Sequence, residues 1–471
     1  MIKRKAACLM LVNNREELIL HKRSDSPHVH FAGYWGPIGG AAEGEESPRD
    51  CMLRECMEET IWKPHFLHEL FLVQAHCDET VFFSRIHDES KLCCMEGEGL
   101  QAFSFEQLEN VNVSPYHRQI IQKFIRHYQK NKSRFQPPQV LLYTKLLSSG
   151  FGGYVTAGSN LYRMLSSIWH TTVVTDETLP QLLQSSDRFD LLVFNATYEN
   201  TTIFEQLARR CDRIWTVEHN AVCAANAREI RSRIASAEKV IVPSMFLRDQ
   251  FLNSGIGIDD TALAVVPLPI DDQVFCKQVH KAETSIRFCS FCALKPVRRL
   301  EQSIRLIHQL RLRDYSCQYH IYGFVPYQGD ESYAQRIQDL IEQLQLTDCV
   351  EICPSVTPPH RIAEIMGDYD FYLDSSRHES YGEAKLEAIF SRLGMVITGC
   401  ENDRKLMPPG SEFFDGDIQA VTEKLCHRLE HFTKDFASEC EMREKVRNYA
   451  VKRFNDETVS QIVEDLYYGS V

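Results

Sequence analysis

Short apolar runs separated by polar turns open the chain. Residues 6–12, 18–21, 66–75 and 80–86 read as β-strands around one helical pattern at 48–62, which predicts an α+β domain. Past residue 138 the pattern changes. Strand-like runs at 140–144, 171–175, 191–195 and 213–218 alternate with helical spacing, the first such helix at 157–169. A second series follows at 286–291, 318–322, 350–353, 371–374 and 395–398. Strand and helix in alternation predict two doubly wound parallel sheets.

The seams are also polar or proline-rich. A helix at 116–130 runs into Asn131-Lys132-Ser133-Arg134 and then Gln136-Pro137-Pro138-Gln139, where two prolines stop the helix and stiffen the spacer. Val266-Pro267-Leu268-Pro269-Ile270-Asp271 joins the two sheet series. The expected domains are therefore 1–132, 139–275 and 280–471, the last helix (456–468) crossing back to the first half. No short-period repeat is present.

Composition narrows the classes. The 471 residues are 44% hydrophobic and 25% charged, which excludes a disordered or fibrous chain. With 52 Lys and Arg against 65 Asp and Glu the net charge is −13, against a nucleic-acid binder that grips phosphates by bulk charge. The basic residues Lys123, Arg126, Lys130, Lys132 and Arg134 read as a solvated helix end rather than a membrane-surface patch. No stretch reaches the ~18 apolar residues of a membrane span. The run at 6–12 follows Met1-Ile2-Lys3-Arg4-Lys5 but passes straight into Asn13-Asn14-Arg15-Glu16-Glu17. It reads as a first strand rather than a signal peptide, and the expected location is cytoplasmic. The 17 cysteines lack framework spacing; Cys289 and Cys292, and the adjacent Cys93 and Cys94, read as buried, reduced thiols.

Candidate chemistry concentrates in two places. After the turn Gly39-Gly40, a helix carries Arg54, Glu55, Glu58 and Glu59, and spacings of three and four align the three acids along one side. Crowded carboxylates need cations, and oxygen donors suit Mg²⁺ or Mn²⁺. Glu58-Glu59 alone would be a solvated acidic face. The whole spacing, Gly40, Glu46, then Arg54-Glu55-Cys56-Met57-Glu58-Glu59, resembles the Nudix box of the Nudix hydrolases, with Trp35-Gly36-Pro37-Ile38-Gly39-Gly40 as its lead-in. The resemblance covers residues 3–128 and implies a mixed sheet sandwiched by helices. It also implies Glu58 and Glu59 as metal ligands helped by the Gly39 carbonyl, with Glu98 as a further candidate. Glu55, a metal ligand or the group that orients and deprotonates the water, and Arg54, which holds the glutamates, complete the set. Two positions depart: Ile61 stands where the family has glycine, and Pro37-Ile38 replaces the usual turn order.

The second place lies between the two parallel sheets, where doubly wound domains bind ligands at their strand ends. Ser148-Ser149-Gly150-Phe151-Gly152-Gly153 is a glycine-rich turn after the first strand. Further on, Asp374-Ser375-Ser376-Arg377-His378-Glu379-Ser380-Tyr381-Gly382-Glu383 leads into a helix bearing Glu387, and helix-start N–H groups suit a diphosphate. Two carboxylates so spaced can bracket the hydroxyls of a nucleotide sugar; otherwise they are one cap and one surface acid.

This element is similar to the Glu-x7-Glu signature of retaining GT-B glycosyltransferases of family 4. Gly152 and Gly153 match that family's glycine loop, and His219 in Thr216-Val217-Glu218-His219-Asn220 matches a strand-end histidine on the acceptor side. The resemblance implies two Rossmann-like domains, an acceptor side at 139–275 and a donor side at 280–471. It implies Glu379 as catalytic, and Ser380, Tyr381, Gly382 and Glu387 as donor-binding. Transfer would need no metal. The cation pair expected on the donor diphosphate falls on Ala293 and Arg298, so one cation is missing; Lys295 or Arg299 are its candidate substitutes.

The sequence thus reads as a two-activity fusion. One half hydrolyses a nucleoside-diphosphate-linked substrate; the other moves a sugar from a nucleotide-sugar donor to a glycan or lipid-linked acceptor, as in polysaccharide biosynthesis. No nucleic-acid partner is expected. Two rivals remain: a nucleotide-sugar-binding regulatory protein with a Nudix sensor and an inert transferase half, and a housecleaning pyrophosphatase.

Overall fold

The structure, a computed structural model, describes residues 4–469 apart from 27–30, 65, 76, 145–152, 196–200, 221, 224, 277–284, 326–330, 357, 378–380, 398–412 and 415–416. It divides into two units, Met1–Pro137 with Ser460–Val471, and Pro138–Val459. No described helix is long and apolar enough to cross a membrane.

The N-terminal unit is an α+β domain. Its strands are β1 (Lys5–Asn13), β2 (Leu18–Lys22), β3 (Trp35–Gly36), β4 (Ile38–Ala41), β5 (His68–Gln74), β6 (Asp78–Ile86) and β7 (Gly99–Phe103). They run β3-β2-β1-β6-β5, with β4 on β1 and β7 on β2. The sheet is mixed because β1 and β6 run parallel while the other pairs are antiparallel. Helix α1 (Pro48–Thr60) lays Cys51, Met52 and Cys56 on Ala7, Leu9, Leu11 and Ile38. Helix α2 (Pro115–Lys130) buries Ile120, Ile121, Phe124 and Tyr128, and α3 (Lys132–Phe135) follows at once. The buried guanidinium of Arg85 ties this end together, donating to the carbonyls of Asn13 and Phe135 and to the Tyr128 hydroxyl.

Residues Ser460–Val471 count with this first unit, although the helix Asp456–Tyr468, which carries Ser460–Tyr468, begins in the second. The sequence assigns 280–471 to one domain, with its last helix, 456–468, crossing back to the first half. What draws the end of the helix away is aromatic: Tyr468 stacks on Phe66.

The second unit holds two all-parallel sheets. The first has the order β13-β12-β11-β10-β8-β9, from β8 (Gln139–Tyr143), β9 (His170–Val174), β10 (Phe189–Asn195), β11 (Cys211–Val217), β12 (Lys239–Val242) and β13 (Leu263–Val265). The second has the order β16-β15-β14-β17-β18, from β14 (Ile286–Ala293), β15 (Cys317–Phe324), β16 (Val350–Pro354), β17 (Phe371–Asp374) and β18 (Gly394–Ile397). Helices α4 (Gly153–Ile168), α5 (Leu179–Gln184), α6 (Thr201–Ala208), α7 (Ala227–Ile234) and α8 (Met245–Asn253) belong to the first sheet. With the second go α9 (Leu300–Arg311), α10 (Glu331–Gln343), α11 (Pro359–Met366) and α12 (Glu383–Phe390), then helices Ile418–Lys434 and Phe436–Phe454. Helix α4 starts at Gly153, ahead of the 157 expected from the sequence. Strands such as Val140–Tyr143 are buried on both faces, which is why they read as unbroken apolar runs.

Of the four cysteines expected to be buried, only Cys289 is, and burial pushes its thiol far up. Cys292 and Cys94 are half-buried and Cys93 is exposed, because Cys292 stands at the C-terminal end of β14 and the other two lie on the loop between β6 and β7.

Candidate functional site

The acids of the N-terminal unit are set by α1. Ser47 caps the helix, its side chain accepting from the Asp50 amide, and Pro48 occupies the first turn. Burying Cys56 against the sheet brings Glu55 and Glu59, one turn apart, to the edge of the core. Arg54 is the clamp. Its guanidinium donates to Glu46 at 3.0 Å, to Glu55 at 2.9 Å, to Glu58 at 2.7 Å and to the Ala41 carbonyl at 2.9 Å.

Glu55 has its pKa raised, by burial first and then by the like charges of Glu59 and Glu58, against the pull of Arg54. The glycine turn is shaped around it. A Cβ on Gly40 would lie 2.3 Å from Glu55 Oε1, and Gly39, at φ +146°, would drive one to 2.2 Å from the Ala7 carbonyl oxygen. At Gly39 the obstacle is backbone, so no side chain fits; at Gly40 a side chain would displace the Glu55 carboxylate. Glycine turn and arginine clamp thus pack around one helix that carries Glu55, Glu58 and Glu59.

Glu59 is 6% exposed and faces His21 of β2, whose Nδ1 lies 3.1 Å away; His21 Nε2 donates to the Glu96 carbonyl at 2.6 Å. Burial would lower the His21 pKa, but the Glu59 carboxylate and the Glu96 carbonyl outweigh it and raise it. Sequence reasoning missed this histidine, which no local motif marks. Glu98 sits in the same loop, 2.5 Å from Lys22 Nζ and accepting from the Asp25 amide, and Lys22 holds its carboxyl below the usual range.

Among the described residues no group of three His, Cys, Asp or Glu side chains is gathered as a ready metal site. Basic side chains stand beside them: Arg54 at Glu55 and Glu58, His21 at Glu59, Lys22 at Glu98. The donors are nonetheless all hard oxygens, and the burial and like charges that raise Glu55 both disfavour its anion, which a divalent cation would stabilise.

Ile61 ends α1 at φ 56°, its amide donating to the Met57 carbonyl. The helix exit is therefore the left-handed one that glycine favours, taken by a β-branched residue.

In the second unit, three neighbouring strands deliver a polar line at their C-terminal ends. Asn195 donates to the Thr144 hydroxyl at 2.9 Å and accepts from His219 Nε2. Burial pushes the His219 pKa down to about 4, so the imidazole is neutral at pH 7. The adjacent Glu218 forms a buried two-pronged pair with Arg233, at 2.9 and 2.8 Å.

Across the second sheet the loops after β14 and β17 are tied together. Ser375 Oγ donates to the carbonyls of Arg298 and Arg299, the Arg377 amide donates to the Val297 carbonyl, and Arg298 Nη1 donates to Ser376 Oγ at 3.2 Å. Lys295 and Arg299 flank the turn Pro296–Arg298, which follows β14 and its last residue, Ala293. Gly382, at φ 85°, turns the chain into α12, which packs on α4. Tyr381 is buried and its hydroxyl donates to the Leu268 carbonyl, anchoring the loop. Glu387 is buried in α12, and burial raises its pKa to about 7. Gly152, Glu379 and Ser380 lie outside the described residues; Gly153 is the first residue of α4. A cavity of about 370 Å³ opens at the same strand ends, lined by Arg299, Ser303, Asp374, Ser375 and Phe414 among others.

Residues 1–125 match the family model of the NUDIX domain, and residues 272–453 match that of Glycosyl transferases group 1. Among solved structures, HepE of Anabaena, in complex with UDP and glucose, is similar at a TM-score of 0.56 and 15% identity, over 70% of this chain and 99% of that one. A sucrose-phosphate synthase of Thermosynechococcus elongatus reaches 0.55 at 14% identity, over 71% and 99%. A glycosyltransferase of Rickettsia africae reaches 0.57 at 11%, over 71% and 98%. At such identities the likeness is one of fold.

Proposed function

We infer, from a NUDIX domain fused to a GT-B-fold glycosyltransferase domain, a protein with two activities on nucleoside diphosphates. One is hydrolysis of a nucleoside-diphosphate-linked substrate; the other is retaining transfer of a sugar from a nucleotide-sugar donor. The observation that carries the first is the single guanidinium of Arg54 joining Glu46, Glu55 and Glu58 beside the glycine turn.

On this reading Glu58, Glu59 and the Gly39 carbonyl, with Glu55 and Glu98, would hold Mg²⁺ or Mn²⁺. Such an ion supplies charge neutralisation on a diphosphate and a more acidic water. The protein's own part is to orient. Arg54 fixes the rotamers of Glu55 and Glu58, and Glu55, with its raised pKa, is suited to accept a proton from water.

In the transferase unit, Glu387 retains a proton near neutrality and can both donate to and accept from ribose hydroxyls. Glu379 is assigned the sugar side, His219 the acceptor side as a neutral imidazole, and the amides following Gly382 the diphosphate. Arg298 would meet charge developing on the leaving diphosphate; removing one such donor costs ~2.7–4 kcal/mol in other sites. The UDP and glucose in the HepE complex support beginning with UDP-sugars.

The purified full chain, incubated with a panel of nucleotide sugars, tests both halves. Hydrolysis should require Mg²⁺ or Mn²⁺ and fall at least 100-fold in Glu58→Gln, while transfer should proceed without metal and disappear in Glu379→Ala. Ala293 is the observation favouring the second reading, a regulatory protein that binds a donor without transferring it. Donor binding with no transfer to any acceptor would favour it; cleavage confined to nucleoside triphosphates would favour the housecleaning reading. If hydrolysis serves transfer by clearing an inhibitory nucleotide, Glu58→Gln should slow transferase turnover in the presence of Mg²⁺, and unchanged turnover would reject the coupling.

A further inference from the structure

The aromatic core of the N-terminal unit is completed from a distant part of the chain. Tyr468 lies parallel to Phe66, ring centroids 4.3 Å apart and planes at 15°, and sets its edge against Phe83 at 6.0 Å. Phe83 in turn packs on Phe124, Tyr128 and Phe135. Val463, Tyr467 and Tyr468 are each no more than 2% exposed. Polar contacts fix the register: the buried Glu464 lies 3.3 Å from His87 Nε2, and Asp465 lies 3.1 Å from Arg49 Nη2. Arg49 also donates to the Leu67 carbonyl at 2.9 Å, and it sits in the first turn of α1.

Phe66 and Phe83 are 1% and 0% exposed with this segment in place. Without it, one face of a large aromatic pair has no covering ring, and aromatic side chains bring ~150–250 Å² of burial each. Phe124, Tyr128 and Phe135 are the other rings on Phe83, and among the described ring pairs Phe66 has only Phe83 and Tyr468.

We propose that the surface around Phe66 and Phe83 is a docking site whose occupant is this chain's own segment 460–468, and that docking is required for the N-terminal unit to hold its fold. The NUDIX domain is then not separable at its proline seam. It is finished only in a chain synthesised past residue 468, after the entire transferase unit. The inference is structural and stands whether or not either proposed activity is present.

Hydrogen exchange read by mass spectrometry, on four full-length or nearly full-length proteins, tests it: the intact chain, a chain stopped after Val459, Tyr468→Ala and Tyr468→Phe. In the stopped chain, exchange in β5, β6 and α2 should rise at least tenfold while peptides from β8 to β18 keep their protection. Tyr468→Ala should give a partial rise in the same peptides, Tyr468→Phe almost none, and a synthetic 456–469 peptide should restore protection to the stopped chain. Unchanged exchange in β5, β6 and α2 overturns the proposal, as does equal loss in both units. If the stopped chain is not recovered, the Tyr468 pair decides, and equal exchange in the two variants overturns it.

Discussion

His21 Nδ1 stands 3.1 Å from the Glu59 carboxylate, with both side chains under a tenth exposed. Each ring nitrogen faces an acceptor, Glu59 on one side and the Glu96 carbonyl on the other, so the doubly protonated ring is favoured. His21→Ala leaves a buried carboxylate without this partner and should cost about 3 kcal/mol. Because the folded pKa is raised above 6.5, the pair's contribution is fully present below pH 6.5 and is lost as pH rises through the raised value. Urea unfolding should therefore show a larger His21→Ala deficit at pH 6 than at pH 9.

Ile61 donates its amide to Met57 from the left-handed region, at 52% exposure. An L-residue there costs ~1–2 kcal/mol, and a glycine forfeits part of that gain in unfolded-state entropy. Ile61→Gly should raise the stability of the N-terminal unit by about 1 kcal/mol, read as a Tm increase of a few degrees. Ile61→Ala, which keeps a Cβ in the same conformation, should not.

What the sequence reveals and what it conceals divide along a physical line. The acids of α1 share one helix, so spacing alone aligns them, and the parallel strands announce themselves as unbroken apolar runs because both faces are buried. His21 and Glu59 meet only through the pairing of β2 with β1 and β7, which no local pattern encodes. The same holds for Thr144, Asn195 and His219, gathered from three strands. The strands β3 and β4, two and four residues long, escape notice because glycine and proline interrupt them. The end of the helix Asp456–Tyr468 has an amphipathic pattern that says it packs, but not on what.

Glu387 carries a pKa of about 7 where an exposed glutamate has 4.5. Between these values the folded chain binds more protons than the unfolded one, so stability falls as pH rises from 4.5 towards 7. Glu387→Gln removes that penalty. It should stabilise the second unit at pH 8 by on the order of 3 kcal/mol, at ~1.4 kcal/mol per pKa unit, read as a higher Tm, and leave the Tm unchanged at pH 4.5. The same variant should weaken nucleotide-sugar binding if Glu387 holds ribose hydroxyls, so isothermal titration beside the melts separates its two roles. A variant that is both more stable and an undiminished binder would remove Glu387 from the donor site.

His219 works in the opposite sense. Its folded pKa is about 4 against 6.5 unfolded, and the neutral ring donates from Nε2 to Asn195, which donates onward to Thr144. Between pH 6.5 and 4 the unfolded chain takes up a proton that the folded chain refuses, so stability is lost as pH falls. At pH 5 the loss amounts to about 2 kcal/mol, from 1.5 units at ~1.4 kcal/mol each. His219→Gln cannot be protonated, yet its amide can still donate to Asn195. Melts of the second unit should therefore show the intact chain losing several degrees between pH 7 and pH 5, and the glutamine variant losing correspondingly less. Identical pH dependence in the two proteins would mean that the ring is open to water at its strand end and titrates normally. In that case it would be charged at mildly acid pH, and its assignment as a neutral group on the acceptor side would fail with it.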